Sequence, residues 1–81
     1  MNAPEFPVPT DGEAKQLSML IDNWESCTDL QRAICLVFLR DSNRPKRIAK
    51  VLAIETEQVL EALPGIEGVI VDAATSYLYF P

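Results

Sequence analysis

The sequence predicts a mainly α-helical domain closed by a C-terminal β-hairpin, an α+β class. Three observations predict it. Apolar residues recur at a helical period of about 3.6 through four successive segments. Pro64-Gly65 then stops the last of these. Beyond Gly68, two short β-prone runs, Val69 to Asp72 and Tyr77 to Phe80, flank a small polar loop at Ala73-Ala74-Thr75-Ser76.

Met1 to Gly12 carries Pro4, Pro7 and Pro9, which remove backbone donors and favour extended chain. This stretch reads as an extended or disordered tail outside the core. The competing reading docks Phe6 and Val8 in a groove of the domain or of a partner. The first helix is expected over 13–26, capped by Asp11 or Gly12, with Ala14, Leu17, Leu20, Ile21 and Trp24 on its inner face. Met19 falls among its polar residues.

Thr28-Asp29-Leu30-Gln31 has the spacing of a capping box and starts a second helix over 29–41. Leu30, Ala33, Ile34, Val37 and Phe38 form one face, and Cys35, Leu36 and Leu39 fill much of the rest. A helix apolar nearly all round must be covered nearly all round. The first helix or a second copy of the chain would supply that cover, so a homodimer through the second helix is expected.

Pro45 suits the first position of a third helix, 45–53, in which Ile48, Ala49 and Leu52 point inward. Ala53-Ile54-Glu55 is the turn, and a fourth helix covers 56–63, with Val59, Leu60 and Leu63 facing the core. Ile48-Ala49-x-x-Leu52-Ala53-Ile54-x-x-x-x-Val59-x-x-x-Leu63 resembles the helix-turn-helix signature. Small residues sit early in its first helix and at its turn, and an apolar plug follows. With Gly68 to Phe80 as the wing, the resemblance to a winged helix-turn-helix domain spans about residues 13–80. Ala53 stands where glycine is common.

The resemblance implies that the fourth helix would lie in a DNA major groove. Its outward residues, however, are Glu57, Gln58 and Glu61, with Glu55 beside them. DNA affinity comes largely from neutralising phosphates, and carboxylates oppose it. The wing tip adds Asp72 and no cation. Against this stands a basic arc, Arg40, Arg44, Lys46, Arg47 and Lys50, holding five of the seven basic residues. It fits phosphates, an acidic protein partner, or a solvated face paired to Asp41 and nearby glutamates.

The whole chain of 81 residues has a net charge of −5 and a pI near 4.5, without the global basicity of most nucleic-acid binders. It has no histidine, and only Cys27 and Cys35 as thiols. No zinc set, catalytic residue or cofactor motif is expected. The longest apolar run, Ala33 to Leu39, is too short for a membrane span, and the N-terminus lacks a signal-peptide pattern. A cytoplasmic location follows as the expectation, or the nucleoid or nucleus should the chain bind DNA. The first functional reading is a non-enzymatic regulatory or adaptor module binding another protein, with Glu57, Gln58 and Glu61 as one contact surface and the basic arc as another. The second is a dimeric DNA-binding regulator that anchors phosphates with the 44–50 cluster and reads bases with Thr56 and Gln58. A third is an acidic mimic of nucleic acid.

Overall fold

The computed structural model describes residues 6–41 and 44–68. Among these, four α-helices occur: α1 (Asp11–Leu20), α2 (Asp29–Arg40), α3 (Pro45–Leu52) and α4 (Thr56–Ala62). Short 3₁₀ turns, Trp24–Ser26 and Leu63–Gly65, follow α1 and α4. This corrects the expected α+β class. The described residues contain no strand, and their β-type pairing is limited to an isolated antiparallel bridge between Ile21 and Gly68. Gly68 was expected to open a hairpin; it pairs instead with the residue that ends α1. The described body is therefore helical and not the helix-plus-sheet of a winged helix-turn-helix. The expected hairpin segments, 69–72 and 77–80, lie outside the described residues.

The first helix also differs from its expected span of 13–26. Thr10, not Asp11 or Gly12, caps it: the Thr10 hydroxyl accepts from the Glu13 amide at 3.2 Å, and Glu13 Oε1 accepts from the Thr10 amide at 2.9 Å. The helix stops at Leu20 because distant partners compete for the following backbone. Ile21 turns extended, at φ −108° and ψ 114°, and the Asp22 amide donates to the Glu67 carbonyl at 2.6 Å. Asn23 locks the junction, donating to the Gly65 carbonyl at 2.8 Å and accepting from the Glu67 amide at 2.9 Å. A β-carbon at position 68 would collide with the Leu20 carbonyl, so this crossing requires glycine. The apolar face survives the break, since Leu17, Ile21 and Trp24 are all buried.

α2 is the axis of the molecule. Its Thr28 capping box forms as expected: the Thr28 hydroxyl accepts from the Gln31 amide at 3.1 Å, and Gln31 Oε1 accepts from the Thr28 amide at 2.8 Å. Gln31 also donates to the Ala62 carbonyl at 3.3 Å, tying the start of α2 to the end of α4. Five consecutive residues, Ala33 to Val37, are buried, so this one chain covers α2 on every side at that level. Leu30, Phe38 and Leu39, toward the two ends of α2, stay partly exposed. Arg32 donates to the Trp24 carbonyl at 3.1 Å, and its guanidinium lies 4.9 Å from the centre of the Trp24 ring. That contact pins the 3₁₀ turn on α2.

α3 ends in a Schellman motif. The Ile54 amide donates to the Ala49 carbonyl at 3.0 Å and the Ala53 amide to the Lys50 carbonyl at 3.3 Å, which satisfies two orphan carbonyls. The geometry forces Ala53 into the left-handed region, at φ 57° and ψ 44°. This conformation costs a residue with a β-carbon about 1–2 kcal/mol. Ile54 packs against the core, Val59 is fully buried, and α3 and α4 meet as a tight helical pair. Among the described residues no helix is long and apolar enough to cross a membrane.

Candidate functional site

The outward side of α4 is the candidate interface. At about 100° per residue, Val59, Ala62 and Leu63 share the inner arc and Glu57 and Glu61 sit opposite, flanked by Leu60 and Gln58. The burial pattern agrees: Val59 and Leu63 are buried, while Glu57, Gln58 and Glu61 are exposed. Leu60, expected to face the core, is 40% exposed. A helix of seven residues packs through one narrow stripe, and Leu60 falls beside it. Glu57 and Glu61 form no ion pair among the described residues. The result is an apolar side chain bordered by two uncompensated carboxylates.

Gln58 is committed elsewhere. Its Oε1 accepts from the Glu55 amide at 2.9 Å, closing the first turn of α4. That use explains why a glutamine stands three residues after the N-cap, and it holds the side chain against its own helix. Thr56, the other expected base reader, is partly buried at the same end.

The basic arc divides. Arg40 grips Glu13 with two hydrogen bonds of 2.6 Å, joining the end of α2 to the start of α1. Arg47 pairs with Asp41 at 3.1 Å. Both are used in bridges inside the chain, so two of the five cations belong to structure. Lys46 and Lys50 are exposed on α3 and form no ion pair among the described residues, and Arg44, also exposed, precedes them as the N-cap of α3. The acidic and basic surfaces thus lie on adjacent helices.

The Glu13–Arg40 pair is the strongest electrostatic feature here. Hydrogen bonds from the Arg40 guanidinium, and next from the Thr10 amide, bring the Glu13 carboxyl down to about 2. Half of it has a local signal: Thr10-x-x-Glu13 has the same capping-box spacing as Thr28-x-x-Gln31. The Arg40 contact, between residues 27 apart in sequence, had no local signal.

Both thiols are unbridged and buried. Burial pushes the Cys35 thiol up to about 12 and raises that of Cys27 too, so neither supplies a ready thiolate nucleophile. Among the described residues no group of three or more carboxylate or thiol side chains gathers to hold a metal ion. Two shallow clefts, of about 550 and 450 Å³, flank the N-terminal segment where it crosses α2. Phe6 and Pro7 line both. No protein-family model matches this chain, and no curated protein or solved structure is significantly similar to it.

Proposed function

We propose that this chain is a small non-enzymatic regulatory or adaptor module that acts by binding another protein through the outward face of α4. The observation that carries the proposal is Leu60, 40% exposed beside the outward pair Glu57 and Glu61. An exposed apolar side chain bordered by charge is the kind of surface on which a docking partner can settle. The carboxylates have no internal partner among the described residues, so they are available to a basic surface and would steer it into register. The commitment of Gln58 to its own N-cap weighs against base reading.

A second reading rests on Lys46 and Lys50. Exposed on α3 and without an ion pair among the described residues, they would suit a phosphate backbone laid across that helix.

One experiment separates the two. A photocrosslinking amino acid is placed at Leu60, and in a second variant at Lys46, in cells producing the chain. The docking module predicts a discrete protein adduct from position 60 that disappears in Glu57→Lys/Glu61→Lys. Adducts to nucleic acid from position 46, with none to protein from position 60, would reverse the order of the two readings.

A further inference from the structure

The residues of α2 at 29, 32, 36 and 40 fall on one stripe of the helix. Three are charged, Asp29, Arg32 and Arg40, which ordinarily marks a solvent face. Yet Leu36, in the middle, has no exposed surface at all. Phe6 and Pro7 of the N-terminal segment share the wall of one cleft with it. Phe6 packs against the core, and the clefts on its two sides trace its path. One is walled by Leu36, Val37, Arg40 and Val51, the other by Ala14, Asp29 and Arg32. Phe6 to Pro9 therefore runs along the 29–40 stripe as a strap.

The strap is held in an unusual way. Among the described residues no hydrogen bond joins residues 6–9 to the body, and Pro7 and Pro9 have no amide to offer. The Thr10–Glu13–Arg40 cluster fixes one end. Among the described residues Phe6 holds the other, half-buried, while Val8 is 79% exposed. The groove is not filled, since open volume remains on both sides of the aromatic ring. A proline-stiffened segment with one aromatic anchor and no backbone bonds is a ligand tethered to its receptor.

We propose that the α2–α3 groove is a binding site for a Phe-Pro segment, occupied by this chain's own Phe6-Pro7 and open to the same segment of a second copy when the strap lifts. The seated residues define what the site takes: an aromatic ring followed by proline, laid between Leu36 and Val51. An identical copy carries that ligand at the same distance from its own Thr10 anchor. Exchange of straps then replaces each contact with its equivalent from the other copy, the low-cost route to a dimer. This surface is separate from the α4 face, so the proposal stands or falls apart from the reading above.

The test uses the full-length chain and an acetylated peptide of residues 6–12, followed by amide chemical shifts. A strap docked about nine-tenths of the time leaves about a tenth of the grooves open and weakens apparent binding in trans about tenfold. Phe6→Ala should therefore bind the peptide about tenfold more tightly than the wild-type chain, with shifts centred on Leu36, Val37 and Val51. Adding Val51→Lys should remove that binding, as should alanine at the peptide's phenylalanine. Equal affinity for both chains, no saturable shift at millimolar peptide, or equal binding of the alanine peptide would each overturn the proposal. Should Phe6→Ala unfold the chain, sedimentation of the wild-type protein decides. A dimer that grows with concentration and dissolves on adding peptide supports strap exchange, and a monomer at every concentration refutes it.

Discussion

α2 is buried from two directions by unlike means. On one side α3 and α4 press whole helical faces onto it, with Ile48, Val59 and Ile34 fully removed from solvent. On the other a short proline-bearing strap, with one half-buried aromatic ring packed on the core, shares a cleft with fully buried Leu36. The helical side is knitted by backbone ladders, a Schellman turn and the Gln31 tie to Ala62. The strap side has side-chain contact alone. Equal burial at two positions on one helix therefore does not mean equal resistance to opening, because local stability follows the contacts that must be lost together.

The largest effect belongs to the helical side. Ile48→Ala leaves a cavity between α3 and α2 and should cost about 2–5 kcal/mol, read as a lower urea midpoint at unchanged slope. Such a loss is a large share of the roughly 4–12 kcal/mol expected for a domain of this size. Gly68→Ala comes next. Its β-carbon would collide with the Leu20 carbonyl and meet the Ile21 Cα at 3.0 Å, both backbone atoms that yield poorly. A loss of about 1–3 kcal/mol is expected, together with faster hydrogen exchange at the Asp22 amide.

On the strap side, Phe6→Ala should cost only about 1 kcal/mol, the share of a half-buried aromatic side chain. Exchange protection should fall around Leu36 while that around Ile48 stays level. If both fall together, the two sides are one cooperative unit and the contrast fails. Ala53→Gly acts with the opposite sign. It relieves the left-handed strain at the end of α3 but loosens the unfolded chain, for a net gain of about 0.5 kcal/mol in thermal unfolding.

The smallest change concerns the strap's anchor. Glu13 is held at about 2 against an ordinary 4.5, so its bridge to Arg40 contributes fully above pH 4.5 and is lost as pH falls toward 2. Glu13→Gln should flatten the melting-temperature profile in that window, with little slope difference above it. An unchanged acid limb would show that the pair contributes nothing to folding.

Much of the helical skeleton was legible. The box at Thr28, Pro45 at the start of α3, and the inward faces of Leu17, Ile34, Ile48 and Val59 follow from spacing and local chemistry. The end of α1 was not, because periodicity runs on through Trp24 while Asn23, Gly65 and Glu67 take the backbone elsewhere. The α4 carboxylates were visible as an outward face. The exposure of Leu60 was not, since it depends on how narrow a stripe a seven-residue helix buries. The basic arc divides in the fold: Arg40 reaches Glu13, 27 residues away, and Arg47 bridges nearby Asp41, while Lys46 and Lys50 form no ion pair among the described residues.

The sequence by itself determined that four helices form, the Thr28 cap of α2 and the sign of charge on α3 and α4, because each depends on residues within a turn or two of one another. Tertiary structure alone decided what closes the body and what covers α2. Gly68 pairs with Ile21 across the chain, and Phe6 packs on the core beside a cleft it shares with Leu36, residues tens of positions apart. Periodicity can show that a helix face must be covered. It carries no information about the cover, because burial is a demand of the surface, and many segments of the right polarity could meet it.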